Sequence, residues 1–225
     1  MLKKEYKFEI LDDNFKDELR TFFKQLEEEL QKPNFGDFVF QIIYELINNA
    51  IKSNLKRIFF IKNNYSFENT EEYSKGLEEF KKYYQHLFKN QNLHNHRDLT
   101  KKEEWIEALK DLGLKVHLTV DIDTKRILIY VINNTRILPE EEKRLRKSLS
   151  IAMHSKDLID FMIHYGQINE EGEGLGLPLV VLLIKEAGFK PEYFRVFKDD
   201  QNTIARIEFP LSSEYIPIRD RKNII

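Results

Sequence analysis

The stretch Lys115-Val-His-Leu-Thr-Val-Asp-Ile122, followed by Asp123-Thr124 and then Arg126-Ile-Leu-Ile-Tyr-Val-Ile132, decides the fold. Its first half alternates apolar and polar residues, and its second half is mostly apolar. With turn residues between them, the two halves read as an antiparallel hairpin. Upstream, Asn63 to Lys110 is charged and aromatic and carries two helical patterns, Glu71 to Lys89 and Lys101 to Leu112. It reads as a helical insertion, about residues 63–112, closed by Gly113. Further back, Tyr6, Phe8 and Ile10 alternate with Lys7 and Glu9 as an opening strand. Phe15 to Gln31 has helical spacing, and Pro33 and Gly36 break it. Asp37 is placed to cap a second helix, Phe38 to Asn54. Arg57 to Ile61 reads either as the end of that helix or as a short buried strand.

Downstream of the hairpin, Asn133 to Pro139 is a loop, and Pro139 opens a charged helix, Glu140 to His154. Lys156 to Tyr165 reads as a shorter helix, and Gln167 to Gly176 as a polar, glycine-ended loop. Leu177 to Ala187 is apolar almost all round, which makes it a buried helix. Tyr193 to Lys198 and Thr203 to Phe209 form a closing hairpin, and the tail, about residues 212–225, is polar and reads as flexible. Strands and helices do not alternate strictly, so a doubly wound parallel sheet does not fit. The expected class is α+β: a mixed, mainly antiparallel sheet with helices on one face, in a single domain of residues 1–225.

Composition narrows the chemistry. In 225 residues, 36 Lys and Arg balance 38 Asp and Glu for a net charge of -2, which leaves no electrostatic footprint for nucleic acid. There is no cysteine, so disulfide scaffolds, thiol catalysis and Cys-ligated zinc are excluded. The longest apolar run, Leu179 to Ile184, is too short to span a membrane, and the first ten residues lack a signal-peptide core. The expectation is a soluble, cytoplasmic protein without membrane insertion.

Two local patterns carry candidate chemistry. Glu45, Asn49 and Lys52 fall at i, i+4 and i+7, on one helical stripe, with Ile43, Leu46, Ile47 and Ala50 opposite. A carboxylate can take a proton from water, a carboxamide oxygen is a hard ligand for magnesium, and an ammonium can meet phosphate. An amphipathic helix with a mixed polar face explains the same periodicity. The second pattern is Glu171-Gly172-Glu173-Gly174-Leu175-Gly176-Leu177, just before the buried helix. Glycines let backbone N–H groups approach an anion, and the helix N-terminus favours one. A flexible loop entering a helix explains this pattern nearly as well.

Together, in this order, the two patterns resemble the histidine-kinase-like (GHKL) ATPase superfamily. Glu45-Leu-Ile-Asn-Asn49-Ala-Ile-Lys52 resembles its N-box. Gly172 to Leu177 resembles its second glycine box, and Asn202-Thr203 to Phe209-Pro210 its closing strand. The resemblance covers roughly residues 35–62 and 115–211. It implies a Bergerat-type two-layer α/β sandwich binding ATP and Mg²⁺, with a lid over about residues 138–171. By the same resemblance Glu45 is the general base or water-orienting residue, Asn49 the Mg²⁺ ligand and Lys52 a phosphate contact. Gly172, Gly174, Leu175 and Gly176 form the triphosphate turn, and Thr203 lies near adenine. Asn133 and Thr135 occupy the first glycine box, where the family has an aspartate and a glycine. Asn133 keeps a carbonyl acceptor for the adenine amino group but adds a donor and loses the charge. No histidine sits in a phosphoacceptor setting, so a phosphoryl acceptor or signalling partner is expected on another protein. The alternative is a non-catalytic interaction protein that keeps the fold and docks through its insertion.

Three further patterns have plainer readings. His96-Arg97-Asp98-Leu99 mimics a kinase catalytic loop without the accompanying motifs. His94 and His96 lack a third metal ligand. Phe80, Tyr83, Tyr84 and Phe88 read as core or partner-facing aromatics rather than base-stacking ones.

Overall fold

The structure, a computed structural model, describes residues 2–89, 96–166 and 176–223. Five strands form one sheet: β1 Leu2–Phe8, β2 Val116–Ile122, β3 Arg126–Asn133, β4 Phe194–Lys198 and β5 Thr203–Pro210. Their order is β1-β2-β3-β5-β4, and every neighbouring pair is antiparallel. The alternation in the sequence sets the faces. Val116, Leu118 and Val120 of β2, Ile127, Ile129 and Val131 of β3, and Ile207 and Phe209 of β5 are all buried. These side chains point to one face, where α2 (Phe35–Lys62) packs on β2 and β3. Helices lie on α2 and around it: α1 (Asp13–Leu30), α5 (Pro139–His154), α6 (Leu158–Gly166) and α7 (Gly176–Glu186). The architecture is the expected α+β class, a two-layer α/β sandwich.

The far face of the sheet carries Arg206 and Glu208, paired at 3.1 Å and both buried. The segment after Pro210 folds over them. Glu208 accepts hydrogen bonds from the Tyr215 hydroxyl at 2.8 Å and the Ile218 N–H at 2.9 Å.

α2 runs 28 residues, so of the two readings of Arg57 to Ile61 the helix end holds and the short strand does not. Within the run Ile58, Phe59 and Phe60 are buried, while Ile61 is exposed. Phe59 and Phe60 pack against Tyr65, Phe80 and Trp105 of the insertion. Asp37 does not cap the helix. Asn34 holds that position in the left-handed region (φ 65°) without a side-chain bond. Instead Glu27 of α1 accepts the Gly36 N–H at 2.8 Å, and Asp37 pairs with Lys24 at 2.8 Å. Gly36 is required there, because a Cβ would sit 2.2 Å from the Phe23 carbonyl oxygen.

The insertion forms α3 (Thr70–Tyr84), a π-helical turn at Gln85–Lys89, and α4 (His96–Asp111). Asn69 caps α3 by accepting from the Glu71 and Glu72 N–H groups. Both α3 and α4 pack on α2. Phe80 and Tyr83 are spent on this packing, and His96 to Leu99 open α4 as helix. His94 lies outside the described residues. Among the described residues, no helix is long and apolar enough to cross a membrane.

Candidate functional site

α2 delivers Glu45 and Asn49 one turn apart. Asn49 Nδ2 donates to the Glu45 backbone carbonyl at 2.8 Å and to Glu45 Oε1 at 3.1 Å. This turns the amide nitrogen toward Glu45 and leaves the Asn49 oxygen on the other side. The first residue of α7, Gly176, sits directly against the pair. A Cβ on it would lie 2.2 Å from Glu45 Oε1, 2.5 Å from Asn49 Nδ2 and 2.8 Å from Asn49 Oδ1. No side chain fits there unless both polar groups move. One end of the glycine pattern therefore meets the N-box stripe backbone to side chain. Gly172, Gly174 and Leu175 lie outside the described residues.

Lys52 continues the stripe, and its ammonium lies 5.5 Å from the centre of the Tyr84 ring. Tyr84 comes from the insertion. Its hydroxyl is pushed above the usual tyrosine range by burial, and further by the carboxylate of Glu45. The insertion thus reaches the stripe itself.

Beside Asn49 opens a cleft of about 390 Å³, walled by α2, α3 and α5, with Tyr165 and Leu177 also on its lining. α2 gives it Asn49, Lys52, Ser53 and Lys56, and α5 gives it Glu141, Arg144 and Lys147. Among the described residues, four cations face one carboxylate. α5 is anchored at its C-terminal end by Lys185 of α7, which donates to the carbonyls of Ala152, Met153 and Ser155 at 3.0, 2.7 and 2.7 Å. Lys198 of β4 holds Glu142 from the other side, and that ion pair keeps the Glu142 carboxyl below the usual range.

The other predicted residues gather at the end of β3. Asn133 Nδ2 donates to the Ala50 carbonyl at 3.3 Å, one residue beyond Asn49. Thr135 Oγ1 donates to Asn54 Oδ1 at 3.2 Å, and Thr203 Oγ1 to the Thr135 carbonyl at 2.8 Å. Asn54, Asn133 and Thr135 are buried. Asn133 Oδ1 and Asn54 Nδ2 have no hydrogen-bond partner among the described residues. Asn133, Thr135 and Thr203 do not line the cleft.

The structure thus brings together Glu45, Asn49, Lys52 and Gly176 in one group, and Asn133, Thr135 and Thr203 in another, joined through α2. Sequence reading missed Lys56, Glu141, Arg144, Lys147 and Tyr73. Its one available signal was Lys56 four residues after Lys52, on the same helical face. The residues fit Mg-nucleotide chemistry. Asn49 and Glu45 supply hard oxygens, the Gly176 backbone allows close approach, and the cations match phosphates. Among the described residues no three His, Asp or Glu side chains cluster as a metal cage. A magnesium ion here would depend on Asn49 and on oxygens of its own ligand and water.

No family model matches the chain, and no solved structure matches it. A protein of Treponema pallidum (strain Nichols), described as "Uncharacterized protein", is similar to it: 28% identical over 183 residues. The match takes in 81% of this chain and 33% of that protein, so the chain spans about a third of its relative's length.

Proposed function

We propose that this chain is a Mg-ATP-binding domain of the histidine-kinase-like ATPase type, acting in signal transduction with its phosphoryl acceptor or partner on another protein. One observation carries the reading: the Gly176 backbone is pressed onto Glu45 and Asn49 at the head of a cation-lined cleft. Magnesium, when bound, supplies charge to draw the phosphates and polarise them. Asn49 offers its amide oxygen, and its nitrogen orients Glu45. Glu45 Oε1 is engaged by Asn49, and its second oxygen remains to accept a proton from water. Lys52 and the cations of α5 neutralise phosphate charge.

Asn133 Oδ1, buried and without a partner among the described residues, is an acceptor suited to an exocyclic amino group of the base. A second reading, a docking module with weak or no nucleotide binding, is favoured by Asn133 and Thr135 being tied to Ala50 and Asn54. Calorimetric titration with Mg-ATP and Mg-ADP separates the two readings. Binding by wild type that is lost in Asn49→Ala is expected, and no heat in wild type would exclude nucleotide binding. If binding is present, phosphate release by wild type but not by Glu45→Ala supports hydrolysis.

A further inference from the structure

Cations line both sides of the cleft. Lys52 and Lys56 come from α2 one turn apart, and Arg144 and Lys147 from α5 face the same space. Glu141 is the one acidic residue on the lining among the described residues. It forms an ion pair with Lys56 in which each side chain is only 15% exposed. Its Oε1 also accepts from the Tyr73 hydroxyl at 3.0 Å, and the Arg144 guanidinium lies 5.2 Å from the centre of the Tyr73 ring. One carboxylate therefore ties α2, the insertion helix α3 and α5 together at the cleft wall. A pair this shielded gives up hydration on both charges, so its net contribution to stability is small. An anion of higher charge density can take the lysine from it.

We infer that Lys56 is a phosphate-binding residue of this cleft and that Glu141 is its internal competitor, displaced when a polyphosphate enters. The identity of the ligand rests on the nucleotide reading above, while the exchange itself requires only a chain of phosphates. Glu141 keeps an anchor when it releases Lys56. Its Oε2 already accepts from the Leu138 N–H at 3.4 Å at the start of α5, where a helix N-terminus favours negative charge. Once Glu141 leaves Lys56, the tie to Tyr73 loosens, and occupancy of the cleft is passed to the insertion. The insertion then reads the state of the site.

The test is calorimetry of the whole chain with two probes, Mg-ATP and inorganic tripolyphosphate, on wild type, Lys56→Gln, Glu141→Gln and Tyr73→Phe. Circular dichroism confirms that each variant is folded. Lys56→Gln should weaken both probes about tenfold, the size of one lost charge-assisted contact. Glu141→Gln should tighten both about fivefold by removing the competitor. Tyr73→Phe, which deletes one hydrogen bond and no charge, should shift affinity the same way by about twofold, and it serves if either charge variant fails to fold. Wild-type binding left unchanged in all three variants would overturn this inference and leave the nucleotide reading standing. Tripolyphosphate binding with these shifts, but no binding of Mg-ATP, would support the inference and remove the nucleotide. No binding of either probe by wild type or Glu141→Gln would overturn both.

Discussion

The two ends of the candidate site are built on opposite terms. At one end Glu45, Asn49 and Gly176 crowd together, and Asn49 also lines an open cleft. At the other, Asn133, Thr135 and Thr203 are closed into a buried chain of hydrogen bonds with Ala50 and Asn54. The second is largely satisfied from within, leaving Asn133 Oδ1 and Asn54 Nδ2 without partners among the described residues. Substitutions should therefore register as ligand affinity at the first end and as fold stability at the second.

The largest stability effect is expected at the closed end. Asn133→Asp replaces the donor that meets the Ala50 carbonyl with an acceptor, inside a buried site. It should cost roughly 2 kcal/mol in urea unfolding, the size of an unsatisfied buried polar group. If nucleotide binds there, Mg-ATP should recover part of that loss. Gly176→Ala should show the reverse pattern. The atoms a Cβ would meet are the ends of two flexible side chains, so stability should change by less than about 1 kcal/mol. Glu45 and Asn49 must rotate away, however, and Mg-ATP affinity should fall about tenfold or more. A large loss of stability with affinity preserved would erase the contrast between the ends. Thr203→Val removes one hydrogen bond at nearly constant volume and should cost about 1 kcal/mol with little effect on tripolyphosphate binding.

A position away from both ends should move ligand affinity least and serves as a control for it. Burial, then the hydrogen bond to Glu208, pushes the Tyr215 hydroxyl up to about 12 from 10.0. A raised folded-state value favours the neutral phenol. That stabilisation is complete below pH 10.0 and is lost as pH climbs toward about 12. Tyr215→Phe should remove this alkaline loss, followed by unfolding titrations against pH, while leaving ligand affinity at neutral pH unchanged.

The sheet was legible because β2 alternates with period two and β3 is a short apolar run joined to it by turn residues, and the observed register from Val116↔Asn133 to Ile122↔Ile127 pairs them. α2 was only half legible. Arg57 to Ile61 reads equally as helix end or strand because the partners of Phe59 lie in an insertion that local pattern does not reveal as a packing partner. Asp37 failed as a cap because Glu27, nine residues before Gly36, captures the helix N-terminus through tertiary contact. The same limit applies to the site. Glu45, Asn49 and Lys52 share one helix and one face, so spacing finds them. Lys56, Tyr73 and Glu141 come from three helices and meet only in the folded chain.

The central claim is that the junction of Asn49 with Gly176 is where the metal-bound end of a nucleotide sits. Substituting paramagnetic Mn²⁺ for Mg²⁺ with ATP, in isotope-labelled protein, reads this directly through line broadening. The Gly176 backbone amide and the Asn49 side-chain amide should broaden first, with the Asn133 amide affected less. Broadening that spares Gly176 and Asn49 while appearing elsewhere on the chain would contradict the claim.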